Sequence, residues 1–127
     1  MGRLKVETLD RVEKYADRVL DVVESIEGPR RSRILDQVVG SGTSVGANTF
    51  EADQAVSSKD FGKTLGIVVK ELSETKFWLR LIGRRQWVKP VRLASLLKET
   101  DELLSIFNAV IIKLRVRPQL QRASRRT

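Results

Sequence analysis

The sequence predicts an all-α protein whose four helices form one antiparallel bundle. Apolar residues recur at steps of three and four in four separate segments, which is the spacing of one helical face. No segment shows the alternation of apolar and polar residues that a half-buried strand requires. The connections between the segments are short, and short connections make successive helices antiparallel neighbours. The predicted architecture is therefore an up-down-up-down four-helix bundle.

Helices one and two are separated by a glycine–proline pair. Helix one is predicted over about residues 5–26, and helix two over about residues 30–55. Glycine is favoured just after a helix and proline in the first turn of the next, so Gly28 and Pro29 mark the boundary.

Helix three has a start signal in the sequence. It is predicted over residues 58–82, with Ser57 as its cap and Asp60 completing a capping box. Val56 is expected to pack against Phe61 as a hydrophobic staple.

Helix four is predicted over residues 90–115. Pro90 suits its first turn, and Pro118 is expected to stop it, because proline breaks the interior of a helix. The bundle is therefore predicted to span residues 1–117, followed by a basic tail over residues 118–127.

Composition limits the possible functions. The 24 bases outnumber the 16 acids, which gives a net charge of +8, and most of the bases are arginines. Arginine binds phosphate in a bidentate manner, so this bias favours contact with a polyanion. There is no cysteine, and no apolar run approaches the roughly twenty residues of a membrane span. We expect a cytoplasmic protein that does not enter a membrane.

Catalysis is not expected. Without histidine or cysteine the chain cannot form a Ser-His or Cys-His pair, nor the Glu-x-x-His motifs of di-iron bundles. Three glutamates, Glu51, Glu71 and Glu74, would at most hold magnesium or manganese loosely. We expect them instead to be mostly buried and paired with Asn48, Lys70 or an arginine, inside the bundle or at a subunit contact, as a structural polar core. We predict neither a metal nor another cofactor.

Two glycines lie inside the helical pattern of helix two. Each costs roughly 1 kcal/mol relative to alanine in a helix. Gly42 and Gly46 are therefore predicted to lie where a neighbouring helix approaches closely.

Three segments carry a family signature. Residues 41–52 read SGTSVGANTFEA, residues 60–61 read DF, and residues 70–79 read KELSETKFWL. These segments resemble the bacterial four-helix-bundle family that includes proteins encoded in intervening sequences of large-subunit ribosomal RNA. Gly40 stands where that family often has arginine, and Thr49 and Phe50 replace its usual small apolar pair.

The resemblance implies an assembly and partners. Members of this group, and the related accessory proteins of diversity-generating retroelements, form homopentameric barrels. The retroelement proteins act with nucleic acid and a reverse transcriptase. The resemblance therefore implies a cyclic homo-oligomer, with a pentamer favoured, and as partners the phosphate backbone of RNA or DNA and a reverse transcriptase.

The candidate nucleic-acid-binding residues form two groups at opposite ends of the predicted bundle. In an up-down-up-down bundle the connections after helices one and three lie at the same end, and the tail is near the other end. Arginines that cap helix C-termini, or a tail that only solubilises the protein, are the alternatives. Trp87 lies among the first group and could stack on a base. The first group is Arg30, Arg31, Arg33, Arg84, Arg85, Lys89 and Arg92, and the second is Arg115, Arg117, Arg122, Arg125 and Arg126.

Helix one carries acidic and basic stripes side by side. The acids are Asp10, Glu13, Asp17, Asp21 and Glu24, and the bases are Arg11, Lys14 and Arg18. Pairs within the helix, such as Glu7 with Arg11, explain part of this pattern. On a basic protein the acidic stripe also offers a docking face for a neighbouring subunit.

These observations predict a non-enzymatic, oligomeric accessory or scaffold protein that binds structured RNA, or an RNA-containing complex, through phosphates. The alternative is a protein–protein adaptor whose basic ends meet an acidic protein and which binds no nucleic acid.

Overall fold

The computed structural model describes the backbone of residues 2–28 and 32–126, and the side chains of these residues as far as Val116. The described chain contains four α-helices and no strand, so the predicted all-α fold of four helices is confirmed. The helices are α1 (Val6–Glu24), α2 (Ser32–Asp53), α3 (Ser58–Arg84) and α4 (Pro90–Arg126).

The four helices surround one apolar core. Contacts join α1 to α2, α2 to α3, α3 to α4, and α4 back to α1. Paired positions show that α1 runs opposite to α2, and α3 opposite to α4. Along α1 and α2, Val19 lies at Gly42 and Val12 at Gly46; along α3 and α4, Leu114 lies at Gly62 and Leu93 at Gly83.

The fourth helix is longer than the sequence predicts. It continues beyond Pro118 to Arg126, so the expectation that Pro118 stops the helix is wrong. Proline removes its own N–H donor and crowds the carbonyl four residues earlier, but the flanking residues include leucine, glutamine and arginine, which are strong helix formers.

The turn between α2 and α3 forms only partly as predicted. The Ser57 side chain accepts a hydrogen bond of 3.1 Å from the backbone N–H of Asp60, as expected of the cap. Val56 is 91% exposed, however, so the predicted staple against Phe61 is wrong. The guanidinium of Arg3 instead covers the Phe61 ring, 5.6 Å from its centroid.

An N-terminal segment preceding α1 occupies the place expected for the staple. The Leu4 N–H donates to the buried carboxylate of Asp53 at 2.7 Å, and the Arg3 N–H donates to the Asp53 carbonyl at 3.1 Å. These bonds satisfy groups at the C-terminal end of α2, where carbonyls lack partners within the helix. No periodic pattern in the sequence predicts this contact.

One buried hydrogen bond links α1 to α4. The hydroxyls of Tyr15 and Thr100 lie 2.7 Å apart, and Thr100 also bonds the Leu96 carbonyl at 2.9 Å. The carbonyl can only accept, so Thr100 donates to Leu96 and Tyr15 donates to Thr100. Burial raises the pKa of Tyr15 to about 12, although the bond to Thr100 and the charge of Arg18 oppose the shift.

Alkaline titration tests this burial. Tyr15 is the sole tyrosine of the chain, so phenolate absorbance reports it directly. We expect a midpoint near pH 12 in the folded protein and near 10 in urea. Above pH 10 the unfolded state loses this proton first, so stability falls as the pH rises through this window, by roughly 2–3 kcal/mol in all. A folded-state midpoint near 10 would show that Tyr15 is not buried as described.

Candidate nucleic-acid interface

The turn between α3 and α4 positions most of the basic residues. The Trp87 N–H bonds the Ile82 carbonyl at 3.1 Å, and the Gln86 N–H bonds the Gly83 carbonyl at 3.0 Å. This is the hydrogen-bond pattern of a Schellman motif, with Gln86 in the left-handed region at φ 59°. Trp87 is half-buried against the core, so its ring helps to close this end of the bundle.

The described members of the predicted basic group lie at this end of the bundle. Ser25, just beyond α1, lines the same cleft as Val88 and Arg92, so the end of α1 lies beside the α3–α4 turn. We call the exposed bases here the basic end. Among the described residues none of their side chains has a hydrogen-bond or ion-pair partner: Arg33, Arg84, Arg85, Lys89 and Arg92.

Two clefts flank the basic end, and arginines line both. One, of about 240 Å³, lies between α3 and α4 and is bordered by Arg80 and Arg84. The other, of about 210 Å³, lies between α1 and α4 and is bordered by Arg18 and Arg92, with Asp21 as its acid. Phosphates entering either cleft would meet guanidinium groups beside apolar walls.

The alternative role of helix capping finds no support at this end. A side chain that caps a helix would donate to one of the last carbonyls. Within the described chain, neither Arg84 nor Arg85 makes such a bond through its guanidinium. Their charges therefore face solvent.

The second predicted group is not brought together with the first. Leu114 contacts Gly62 near the start of α3, so Arg115 lies near the end of the bundle opposite Arg84. Arg115 is exposed. The remaining predicted residues lie outside the described side chains: Arg30, Arg31, Arg117, Arg122, Arg125 and Arg126.

Two bases of α1, Arg11 and Arg18, turn toward α4 and do not pair along their own helix. Arg11 donates to Glu99, with one contact at 3.1 Å, and to Glu102 at 3.1 Å. The hydrogen bond from Arg11 to Glu99 is the main reason that the pKa of Glu99 is lowered. Arg18 donates to Ser95 at 2.8 Å. The predicted pair of Glu7 with Arg11 is therefore wrong, because α4 offers a two-carboxylate partner.

The acidic stripe of α1 is left facing solvent. All five of its members are exposed, and within the described residues none of their carboxylates makes a hydrogen bond or ion pair: Asp10, Glu13, Asp17, Asp21 and Glu24.

Within one chain the residues of the predicted polar core are not gathered in the interior, so their burial at a subunit contact stays a prediction. Glu51 is exposed, and Asn48, Glu71 and Glu74 are only half-buried. Glu74 accepts from the Trp78 indole at 3.3 Å, and Asn48 donates to the Ser44 carbonyl at 2.9 Å. Burial, followed by the charge of Glu74, raises the pKa of Glu71.

Asn48 and Glu51 do not face the core because other residues fill the inward face of α2. Ser41, Val45, Thr49 and Ala52 fill the inside of α2, so residues 48 and 51 turn outward. Other residues make the buried polar contact between α2 and α3: the Thr75 and Ser41 hydroxyls are hydrogen-bonded at 2.8 Å. Both residues belong to the signature segments. A serine and a threonine, however, suggest a polar contact less strongly than three glutamates do.

The described residues form neither a metal-binding cluster nor a membrane-spanning helix. No group of three or more acidic, histidine or cysteine side chains there could hold a metal ion. Within the same part of the chain, no helix is long and apolar enough to cross a membrane.

Comparison with known proteins identifies the family. The profile of the 23S rRNA-intervening sequence protein family matches residues 5–109. The chain belongs to this family. It is also similar to a crystal structure of a protein with unknown function from the S23 ribosomal protein family of Bacteroides thetaiotaomicron. The two are 29% identical with a TM-score of 0.75, over 82% of this chain and 97% of that one. A comparison with curated proteins finds no match.

In this member of the intervening-sequence family, the signature residues divide between two sides of α2 and α3. Gly42 and Gly46 face α1, where a Cβ on Gly42 would lie 2.7 Å from Val19, and one on Gly46 would lie 3.5 Å from the Val12 carbonyl oxygen. The carboxylates and Asn48 lie on the outward side. The signature therefore serves packing on one side and forms a surface on the other.

Proposed function

We propose that this protein is a non-enzymatic, oligomeric accessory or scaffold protein that binds structured RNA through its phosphates. The observation that carries the proposal is the basic end, where exposed guanidinium groups gather without acidic partners among the described residues. Unpaired exposed arginines retain their full capacity for bidentate phosphate contacts.

The arrangement favours recognition of the backbone over recognition of bases. Among the described residues, the basic end offers two clefts lined by arginines and no protruding helix or strand that could enter a groove. Phosphate contacts position a protein on nucleic acid without specifying sequence. The family name concerns 23S rRNA, so structured ribosomal RNA is the first ligand to test.

Self-association completes the proposal. We propose that the up-down-up-down bundle assembles into a cyclic homo-oligomer, with five copies favoured, so that the basic ends repeat around one axis. Several weak contacts to one polyanion then act together, and avidity raises the overall affinity. A reverse transcriptase is retained as a candidate protein partner.

The dependence of binding on salt tests this function. We expect wild-type protein to bind a naked, structured fragment of 23S rRNA, and the plot of log K against log salt to be linear. At about 0.7–0.9 per neutralised phosphate, five bases of one basic end would give a slope of roughly −4. Unrelated structured RNA of equal length should bind within a few-fold as tightly.

An acidic polypeptide is the matched competitor. The alternative function is a protein–protein adaptor whose basic ends meet an acidic protein. If naked RNA fails to bind at moderate salt while polyglutamate binds, the adaptor function replaces the proposed one.

A further inference from the structure

An open, partly apolar cleft lies at the α2–α3 end of the bundle. Its volume is about 720 Å³, and Phe50, Val56 and Ile67 line it with exposed apolar surface. The acids Glu51 and Asp60 and the single base Lys63 also line it, so acids are in excess. On a chain with net charge +8, a cleft of this character fits an apolar segment that carries positive charge.

The C-terminal half of α4 presents a surface of the complementary kind. Ala109, Ile112 and Val116 follow one another at steps of three and four, so they share a face of the helix. Ile112 is 58% exposed and Val116 is 41% exposed. Lys113 and Arg115 are exposed beside them. We call residues 109–116 the α4 stripe.

The cleft and the α4 stripe lie at the same height along the bundle. Lys76 bonds Asp101 at 2.7 Å, and Leu114 lies beside Gly62. Because α3 and α4 run in opposite directions, residues 60–67 of α3 are level with about residues 109–116 of α4.

The two surfaces cannot meet within one chain. Helix α4 packs against α1 and α3, whereas the cleft opens on the side of α2 and α3. The α4 stripe is the side of α4 turned away from the core residues Leu103 and Phe107. The two surfaces therefore face different directions.

We propose that the α4 stripe of one copy docks in the α2–α3 cleft of a second copy. This inference rests on the proposed homo-oligomer and adds the surfaces that form it. Ile112 and Val116 cover the exposed apolar residues of the cleft, while the bases of the stripe approach Glu51 and Asp60. Such an interface is heterologous, and a heterologous interface generates a ring when the rotation closes. Equal heights of the two surfaces favour closure over an open helical filament.

Two single substitutions test the interface. Ile112→Asp places a carboxylate on the stripe, which the proposed docking brings to Glu51 and Asp60, and Ile67→Asp places one inside the cleft. Both positions are exposed in the single chain, so each variant should keep the helical circular dichroism of the wild type. Each should reduce the mass measured by light scattering from a multiple of 14.4 kDa to that of one chain.

Mixing the two variants distinguishes this pairing from others. The Ile67→Asp chain keeps an intact stripe, and the Ile112→Asp chain keeps an intact cleft. Their mixture should therefore form a dimer of one copy of each and nothing larger. A face that meets its own counterpart on another copy would give no such rescue.

Val91→Asp is the matched control. Val91 is an apolar residue of the same helix, 79% exposed, at the other end of the bundle. This variant should keep the wild-type mass. If the wild type is a multimer and both interface variants keep its mass, the inference is overturned while self-association stands. A monomeric wild type would overturn both.

Discussion

Replacing Arg84 and Arg85 together by glutamate is expected to weaken RNA binding by about 10–100-fold at physiological salt. Each arginine is exposed and free of partners within the described chain, so each is available for one phosphate contact. Losing two contacts should make the log K against log salt slope shallower by roughly 1.5–2. Filter binding or fluorescence anisotropy over a salt series measures both quantities.

A control with the same change in charge shows whether the loss of RNA affinity depends on where the charges lie. Lys5 and Lys59 are exposed at the opposite end of the bundle, each at the start of a helix, where glutamate is tolerated. The Lys5→Glu/Lys59→Glu protein should bind RNA much closer to wild type. If both double variants lose affinity equally, net charge alone drives binding. If the Arg84/Arg85 variant binds as tightly as wild type, the basic end is not the site.

The location of the basic end could be predicted because it follows from topology. Four amphipathic segments with short connections place the α1–α2 and α3–α4 connections at one end, whatever the details of packing. The local structure of the turn could not be predicted. A left-handed residue after a helix is usually glycine, and here Gln86 takes that conformation while Gly83 lies buried inside α3 against Leu93.

Side-chain partners were harder to predict than helices. Arg11 has acids at suitable spacing on its own helix, so the sequence favours a local pair. Its actual partners, Glu99 and Glu102, are about ninety positions away and are adjacent only because α4 packs beside α1. The outward orientation of Glu51 likewise depends on which α2 residues face the core, and periodicity defines that face only to within about one position.

Gly42→Ala is expected to destabilise the bundle by up to roughly 2 kcal/mol. The added Cβ would lie 2.7 Å from the Cγ1 of Val19, which is fully buried. It would also lie 3.1 Å from the Val19 Cβ, which no change of rotamer moves, so α1 and α2 must separate there. Overpacking of this kind costs about 1–3 kcal/mol, and the roughly 1 kcal/mol by which alanine favours a helix over glycine offsets part of that cost. Chemical denaturation measures the difference.

Two other glycines of α2 serve as reference positions for the stability measured for Gly42→Ala. A Cβ on Gly40 meets nothing within 4 Å, so Gly40→Ala should stabilise the protein by up to about 1 kcal/mol. At Gly46 the nearest atom is the Val12 carbonyl oxygen at 3.5 Å, an ordinary contact, so Gly46→Ala should lie between the other two. The expected order of stability is therefore Gly40→Ala, Gly46→Ala, then Gly42→Ala. Equal stabilisation by all three substitutions would mean that helix propensity alone governs these positions, and that α1 does not approach α2 as closely as Val19 and Gly42 indicate.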